Sequence, residues 1–150
     1  MSPAHWGPPT WLLLHAIVER LNASCFPAIS QPLFYIISQI CKNLPCPECT
    51  THATAFLNTV KMNTIQTKGD FRRMLLFFHN KVNVRKMKPT ADVSILDKYA
   101  SVNLHLAFSL FVAEYTKQPS NLRLRVDSNI RKLVVNNTAQ WLTQNQSLFV

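Results

Sequence analysis

The sequence predicts an all-α protein. Its 150 residues contain only two glycines, Gly7 and Gly69, and no sustained Val, Ile and Thr alternation of the kind that indicates strands. Apolar residues instead recur at spacings of three and four along most of the chain. A chain of this length fits one domain and buries roughly two thirds of its unfolded surface, so it needs no disulfide scaffold to fold.

Two helices precede residue 45. We expect Thr10 to cap the first helix. Its apolar stripe recurs at i, i+3, i+4 and i+7 and consists of Trp11, Leu14, His15, Val18 and Leu21. Ser30 and Pro32 are expected to begin the second helix, because proline fits a first helical turn, and this helix ends near Asn43. Trp11 and His15 therefore lie on one face, where a core aromatic beside a hydrogen-bonded histidine is the simplest explanation of the pair.

The third and fourth helices occupy the middle of the chain. Cys46 and Cys49 lie in the first turn of the third helix, where Pro47 can take the first position. Gly69 and Asp70 provide a turn and an N-cap for the fourth helix. The residues expected to pack inward from the fourth helix are Phe71, Met74, Leu75, Phe78 and Val82.

The C-terminal third predicts two more helices. Asp92 or Ser94 can cap a fifth helix that runs to about Thr116, and a final helix begins at about Ser128. The expected buried stripe of the fifth helix is Leu96, Tyr99, Val102, Leu106, Leu110 and Ala113. The final helix is expected to use Ile130, Leu133, Val134, Trp141 and Leu142. Between them, residues 122–126 alternate briefly like a strand, which is a weak signal without a partner strand.

The Cys-x-x-Cys at residues 46–49 is the expected reaction centre. Two cysteines at this spacing can close a disulfide across the first turn of a helix, where free N–H groups and the helix dipole stabilise a thiolate. This arrangement favours rapid thiol–disulfide exchange. Followed by His52, the same pattern can also begin a zinc site. From these residues alone, a redox role, a zinc site and inert structural cysteines all stay open.

The net charge of +9 comes from sixteen Lys and Arg against seven Asp and Glu. An anionic partner is therefore plausible, and nucleic acid, a phosphate-bearing cofactor or an acidic protein surface would all fit, as would a solvated face with no partner. The first residues lack the pattern of a signal peptide, and the longest apolar run, around residues 104–113, is too short for a bilayer of ~30 Å. We expect a non-secreted protein without a membrane span.

Three motifs, taken together, resemble the Erv-type FAD-linked sulfhydryl oxidases, the augmenter-of-liver-regeneration family. Their order and spacing match that family from residue 6 to about residue 100. The motifs are Gly7-x-x-Thr10-Trp11-x-x-x-His15, then Pro45-Cys46-Pro47-Glu48-Cys49, then His79-Asn80-Lys81-Val82-Asn83 with Lys88-Pro89.

The resemblance implies a four-helix bundle that encloses FAD, with a short fifth helix, over residues 1–100. Residues 101–150 would form a helical C-terminal extension packed on the same domain. Cys49 would lie against the flavin and Cys46 would be attacked by a substrate thiolate, with oxygen reduced to hydrogen peroxide. The implied cofactor-binding residues are Gly7, Thr10, Trp11, His15, His79, Asn80, Val82, Asn83, Lys86 and Lys88.

The chain departs from the family pattern at several positions. Pro8 stands where many members have arginine, and Leu44 where many have an aromatic residue. Leu76 and Val93 stand where cellular members have a structural disulfide. These departures and the extension resemble homologues encoded by large DNA viruses. They imply an intracellular location, in the host cytoplasm or the virion, rather than the mitochondrial intermembrane space.

Cys25 and Cys41 are not expected to pair. About ten helical residues, or ~15 Å, separate them, which exceeds the ~7 Å Cα limit for a disulfide. Cys41 is then most simply a buried free thiol, while Cys25 lies in a loop and could form an intermolecular bond or accept substrate.

We therefore predict an FAD-dependent thiol oxidase that acts on protein dithiols, uses oxygen, forms a homodimer and binds neither membrane nor nucleic acid. The main alternative is a zinc-binding module in which Cys46, Cys49, His52 and His79 hold the metal while the basic surface contacts nucleic acid. A third possibility retains the fold without the activity, as a scaffold that binds a partner through its C-terminal helices.

Overall fold

The computed structural model describes residues 2–117 and 125–150 and confirms the all-α prediction. Its α-helices are α1 (Pro3–Arg20), α2 (Phe26–Cys41), α3 (Pro47–Leu57), α4 (Lys68–Arg85), α5 (Leu104–Tyr115) and α6 (Arg125–Gln144). Short 3₁₀ segments lie at Ala23–Cys25, Met62–Thr64, Val93–Ser101 and Gln146–Leu148. In the described ranges the chain has no named strand, and a single antiparallel bridge joins Leu21 to Phe149.

Helix α1 begins eight residues earlier than predicted. Ser2 is the N-cap, its hydroxyl accepts the Ala4 N–H at 3.2 Å, and Pro3 opens the helix. Thr10 is therefore not a cap. It lies inside α1, and its hydroxyl donates to the carbonyl of Trp6 at 2.6 Å.

Two prolines, Pro8 and Pro9, lie in the interior of α1, which is why the helix start was predicted after them. Each lacks the N–H that would bond the carbonyl four residues earlier. Those carbonyls belong to Ala4 and His5, which are both exposed, so water can bond them. The helix consequently continues across a sequence that locally disfavours it.

The starts of α2 and α4 also differ from the prediction. Helix α2 begins at Phe26 rather than at Ser30, with Pro27 in its first turn. Helix α4 begins at Lys68, because Thr67 and Asp70 form a capping box. The Thr67 hydroxyl accepts the Asp70 N–H and the Asp70 carboxylate accepts the Thr67 N–H, each at 3.1 Å.

Helix α1 is the centre of the structure. Helices α4 and α5 and the 3₁₀ segment Val93–Ser101 pack against it, while α3 and α6 pack against α2. One core results, and its fully buried members include Leu13, Ile17, Phe26, Leu33, Ile37, Phe71, Phe111 and Tyr115. The chain end also contacts α1, because the Val150 N–H donates to the Arg20 carbonyl at 2.7 Å.

The predicted fifth helix is wrong in its register. Asp92 does cap Val93, but the segment Val93–Ser101 is 3₁₀, and an extended Val102 with ψ 133° ends it before α5 begins. A 3.6-residue stripe cannot continue across such a break. Leu106 and Leu110, predicted to be buried, are therefore 58% and 47% exposed, and the buried face of α5 is formed by Ala107, Phe111 and Tyr115.

The predicted inner face of the last helix is wrong as well. Ile130 and Leu133 are 43% and 59% exposed, although Val134 is buried as expected. Besides Val134 and Val135, the buried side chains of α6 are polar: Ser128, Arg131 and Thr138. The helix begins at Arg125, so the end of the predicted 122–126 alternation is helical, and residues 122–124 lie outside the described part of the chain.

The membrane prediction can be compared with the helices directly. Within residues 2–117 and 125–150, none of the helices is both long enough and apolar enough to cross a bilayer.

Candidate redox and cofactor site

Cys46 and Cys49 form a disulfide at the start of α3, as the spacing predicts, with their Cα atoms 5.2 Å apart. Cys46 is the N-cap, and its Sγ accepts the Cys49 N–H at 3.2 Å. Pro47 takes the first helical position, and both cysteines are half-buried. The positive end of the helix dipole and the free N–H groups of the first turn therefore favour negative charge on either sulfur.

The segment that leads into the disulfide is held by one threonine. The Thr50 hydroxyl accepts the Leu44 N–H at 3.0 Å and lies 3.3 Å from the Leu44 carbonyl, to which it donates. Pro45, which lies between Leu44 and Cys46 in the sequence, is buried. The first turn of α3 thus fixes the chain on both sides of Cys46.

A cavity, part of it open to solvent, adjoins the disulfide. Its lining is mostly apolar and comes from α1, α3 and α4, with contributions from the end of α2 and from Leu44. The lining residues are Trp6, Gly7, Thr10, Trp11, Leu14, Cys41, Leu44, Cys49, Ala53, Phe78, Val82, Arg85 and Lys86. We call this space the inner cavity. Cys49 lines it and Cys46 does not, so the two sulfurs occupy different surroundings.

A second space, the outer cleft, continues from the inner cavity. It is partly open to solvent and shares four lining residues with the inner cavity, namely Gly7, Trp11, Val82 and Lys86. Its other lining residues are Pro3, Pro8, His79, Asn83, Lys88 and Tyr99. The outer cleft is therefore more polar than the inner cavity, while each part is lined by two cations, and together the two form one elongated groove.

Aromatic rings from three elements stack beside the outer cleft. The Trp11 and His79 rings are nearly parallel, with centroids 3.9 Å apart and an interplanar angle of 7°. His15 stacks on the far side with Tyr99 at 5.0 Å. His15 Nε2 and His79 Nδ1 are 2.9 Å apart, so one ring donates a hydrogen bond and the other accepts it.

Both histidines are held neutral. Burial, together with His79 and Lys98, lowers the pKa of His15 to about 3. Burial also lowers the pKa of His79 to about 4, with further contributions from Lys88, Lys98 and Lys86. The shared hydrogen bond requires at least one neutral ring, since two imidazolium rings would both be donors, and the lowered pKa values of both histidines satisfy this requirement.

The C-terminal end of α4 carries the cations of the site. The pKa of Lys86 is lowered by burial and by the neighbouring charges of Lys88 and Arg85, so these groups crowd one another. Met87 has φ 59°, and the Lys88 N–H donates to the Asn83 carbonyl at 2.8 Å while the Met87 N–H donates to Val84. This is a Schellman turn, and it returns Lys88 to the outer cleft.

Asn80 holds the loop that follows this turn. Its side-chain NH₂ donates to the Ala91 carbonyl and its side-chain oxygen accepts the Ala91 N–H, each at 2.9 Å. Asn83 also donates to the Asn80 oxygen at 3.4 Å. The asparagine pair therefore connects α4 to the chain beyond Pro89.

The structure brings most of the predicted cofactor residues into one groove. Gly7, Trp11, Val82 and Lys86 line both of its parts, Thr10 lines the inner cavity, and the outer cleft adds His79, Asn83 and Lys88. His15 lines neither part and instead supports His79, while Asn80 bonds the Ala91 backbone. Cofactor contact by all ten residues stays a prediction.

Sequence reasoning missed Trp6, Phe78 and Arg85 as lining residues of the inner cavity, and Tyr99 in the outer cleft. Trp6 was detectable in principle, since it precedes Thr10 by one helical turn. It was missed because α1 was expected to begin at Thr10. Phe78 was identified as a core residue, and its edge-on packing against Trp11 places it in the cavity wall.

The free cysteines agree with expectation: Cys41 is buried, Cys25 is half-buried, and neither is in a disulfide. Cys41 also lines the inner cavity, where burial raises the pKa of its thiol to about 12. Across the described ranges, no group of three or more His, Cys, Asp and Glu side chains is arranged to hold a metal ion. The disulfide also occupies both sulfurs that the zinc alternative requires.

The helical fold and the site define a class: an all-α redox protein whose Cys-x-x-Cys adjoins a long, partly basic groove. The chain belongs to the Erv1/Alr family, whose model matches residues 8–102. Residues 103–150 lie outside that match. No solved structure matches the chain.

Viral relatives cover most of the family region. A protein of Invertebrate iridescent virus 6 is 29% identical over 104 residues, which is 65% of this chain and 94% of that protein. A Fowlpox virus protein is 27% identical, over 63% of this chain and 93% of its own length. A Variola virus protein is 29% identical, over 52% of this chain and 76% of its own length. Each is named, with a provisional qualifier, as an FAD-linked sulfhydryl oxidase.

Proposed function

We propose that this chain is an FAD-dependent sulfhydryl oxidase that forms disulfide bonds in protein substrates and uses oxygen as the electron acceptor. The observation that carries the proposal is the position of the Cys46–Cys49 disulfide. One of its sulfurs belongs to a residue that lines the groove, and the other belongs to a residue outside that groove. Family membership and the names of the viral relatives support the same activity.

The groove suits FAD on three structural grounds. Gly7 lines both of its parts, and a Cβ at this position would meet no atom within 4 Å, so the glycine leaves open space for a ligand. The buried Trp6 Nε1–H lacks a hydrogen-bond partner within the described residues. The lining also changes from mostly apolar beside Cys49 to more polar in the outer cleft, where Lys86 and Lys88 lie, which matches a planar ring system at one end and a diphosphate at the other.

The residues then take distinct roles. A substrate thiolate attacks Cys46 Sγ, which forms a mixed disulfide and releases Cys49 as a thiolate. A second substrate thiol attacks the mixed disulfide, so the substrate leaves oxidised and both cysteines are reduced. When bound, FAD supplies a two-electron acceptor for this dithiol, and oxygen reoxidises it with formation of hydrogen peroxide. Trp11 and His79 provide a flat stacked surface, and Lys86 and Lys88 provide positive charge for the diphosphate.

We further propose a homodimer and an intracellular location, in the host cytoplasm or the virion. The family commonly pairs through its first two helices, and the 60% exposed Tyr35 on α2 supports an interface there. Elution that stays at the monomer volume at every protein concentration would refute the dimer. We also propose residues 1–100 as the oxidase domain and residues 101–150 as an extension packed on it, in accord with the contacts of α5 and α6.

The experiment that tests the function is the visible spectrum of the purified protein, with zinc measured on the same sample. We expect an oxidised flavin spectrum at about one equivalent, bleached by dithiothreitol without air and restored by air. A colourless protein with stoichiometric zinc would overturn the proposal and favour the metal-binding alternative.

A further inference from the structure

Trp6 carries a buried hydrogen-bond donor with nothing to bond. The side chain is 4% exposed, and its Nε1 has no partner in the described ranges. Two serine hydroxyls, on Ser38 and Ser128, share this property. A hydroxyl can rotate toward an acceptor, whereas an indole N–H is fixed by the ring plane. The Trp6 donor is therefore the one whose direction is set by the fold.

Trp6 also differs from those serines in its location. It lines the inner cavity together with Cys49, whereas Ser38 and Ser128 line neither part of the groove. The backbone carbonyl of Trp6 already has a hydrogen-bond partner, because it accepts the Thr10 hydroxyl at 2.6 Å. Lys86 Nζ lies 5.9 Å from the centroid of the Trp6 ring, so the ring faces a cation that also lines the inner cavity.

A buried donor without a partner destabilises the state in which it occurs, and native proteins seldom keep one without a reason. A ligand of the inner cavity that brought an acceptor to Trp6 would remove this cost on binding. The inner cavity is the part of the groove that contains Cys49, so electron transfer requires the redox-active ring of the cofactor there. The polar edge of an oxidised isoalloxazine carries two carbonyl oxygens and the ring nitrogens N1 and N5, each of which can accept an N–H.

We infer that the Trp6 indole N–H donates a hydrogen bond to a ring acceptor of bound FAD, which makes Trp6 a cofactor-selecting residue of the inner cavity. This inference rests on the proposed function. Removal of the N–H should therefore weaken FAD binding. It should not destabilise the apoprotein, because the donor has no partner to lose there.

The test removes the N–H and keeps the shape of the ring. Trp6 lies before Cys25, so a synthetic peptide of residues 1–24 can be joined to recombinant 25–150 by ligation at that cysteine. One full-length product carries tryptophan at position 6, and the other carries benzothienylalanine, in which sulfur replaces the N–H. Both are measured for FAD affinity, by quenching of flavin fluorescence, and for the melting temperature of the apoprotein.

We expect FAD to bind the analogue about tenfold more weakly, equivalent to ~1.4 kcal/mol, with an apoprotein melting temperature that is unchanged or higher. Equal FAD affinity of the two products would overturn the inference. So would a lower melting temperature of the analogue apoprotein, because it would mean that the N–H already bonds a water or a protein atom.

Recombinant variants provide a second comparison. Trp6→Phe should weaken FAD binding at least as much as the analogue does, whereas Trp141→Phe should not change it. Trp141 is half-buried, packs against Phe149 and lines neither part of the groove. Loss of FAD affinity in both variants would overturn the inference. If the product with natural tryptophan itself binds no flavin, the proposed function fails, and that result is distinct from equal binding by both products.

Discussion

The groove beside the disulfide and the C-terminal helices differ in whether their buried polar groups have hydrogen-bond partners. In the C-terminal part, the Tyr115 hydroxyl donates to the Ile40 carbonyl at 3.1 Å, and Arg131 Nε donates to the Tyr115 carbonyl at 3.1 Å. In the groove, the Trp6 N–H is unpaired within the described residues, and Met87 has a positive φ. Ser128 is the exception in the C-terminal part.

The difference separates a region that is complete by itself from one arranged around a ligand. In the C-terminal helices, hydrogen bonds between α2, α5 and α6 contribute stability directly. In the groove, burial and neighbouring cations hold His15 and His79 neutral and crowd the lysines. Changes in the groove should therefore alter chemistry and cofactor binding, and changes in the C-terminal helices should alter stability alone.

The largest expected effect is on turnover and comes from the disulfide. Cys49→Ser should lower thiol oxidation by ~10³-fold or more, because no thiolate remains to carry electrons to the cofactor. The variant should still bind flavin and fold normally. Cys25→Ser is the matched control, since Cys25 is a half-buried free thiol outside the groove. Oxygen consumption with dithiothreitol measures both, and full activity of Cys49→Ser would contradict the assigned role.

The next effect is on stability below neutral pH. The folded protein holds His15 and His79 with lowered pKa values, about 3 and about 4, whereas the unfolded chain titrates near the ordinary 6.5. Between these values the unfolded state binds more protons, so the free energy of unfolding is highest above pH 6.5 and falls as the pH is lowered. Each proton that the unfolded chain binds in excess of the folded protein lowers the free energy of unfolding by ~2 kcal/mol between pH 6.5 and 5.

Urea unfolding of the apoprotein at several pH values in that window measures the slope. The window lies above the ordinary carboxyl pKa values, so it isolates the histidines. His79→Gln should flatten the slope, and the exposed His105→Gln should leave it unchanged. If the free energy of unfolding of the wild type is constant from pH 6.5 to 5, then keeping His15 and His79 neutral does not destabilise the folded protein in this range.

The same comparison shows where the sequence was informative. The resemblance to the Erv-type oxidases predicted that Gly7, Trp11, His79 and Asn83 lie together beside Cys49, and they line one groove with it. From the residues alone, Trp11 beside His15 was most simply a core pair. The faces of α1 and α4 are unaffected by the wrong predicted starts, because an earlier start lengthens a helix without rotating its faces.

The C-terminal helices were predicted less well because their faces depend on breaks that periodicity does not reveal. The extended Val102 resets the helical phase, which exposes Leu106 and Leu110. On α6, Arg131 is buried because its guanidinium reaches a carbonyl of α5, a tertiary contact that composition cannot show. The Schellman turn at Met87 was missed for a similar reason, since glycine is the usual residue there.

Beside the disulfide, Thr50 provides a test of positioning. Thr50→Val keeps the shape but leaves the Leu44 N–H without its acceptor and removes the donor to the Leu44 carbonyl, at a cost of ~1–2 kcal/mol. We expect a lower kcat with dithiothreitol and a changed reduction potential of the cysteine pair, and Thr50→Ser should restore both.

Thr51 supplies the control for this prediction. It is the next residue of α3, it is exposed, and its hydroxyl donates to the Pro47 carbonyl within the same helix. Thr51→Val should therefore change neither kcat nor the reduction potential. Equal effects of the two valine substitutions would indicate a general response of α3 rather than positioning of the disulfide by Thr50.

A smaller effect is expected in the C-terminal helices. Tyr115→Phe removes the hydroxyl that donates to Ile40 and should lower the free energy of unfolding by ~1 kcal/mol. FAD affinity and turnover should stay at the wild-type values, measured by fluorescence quenching and oxygen consumption. A Tyr115→Phe variant with reduced turnover but unchanged stability would break the division between the two regions.

The smallest effect is a gain in stability at the edge of the groove. Met87 has φ 59° and is 95% exposed, so its side chain makes little contact while its backbone takes a conformation that L-residues disfavour. Met87→Gly should relieve that strain and raise the free energy of unfolding by ~0.5–1 kcal/mol in urea titration. The Schellman hydrogen bonds should persist, so Lys88 stays at the outer cleft and FAD affinity is retained.

Val84→Gly, in the last turn of α4 and also exposed, is the contrasting control. It should not raise the free energy of unfolding, since a helical position disfavours glycine more than valine. A destabilised Met87→Gly variant would mean that the methionine side chain, rather than the turn, holds Lys88 in place.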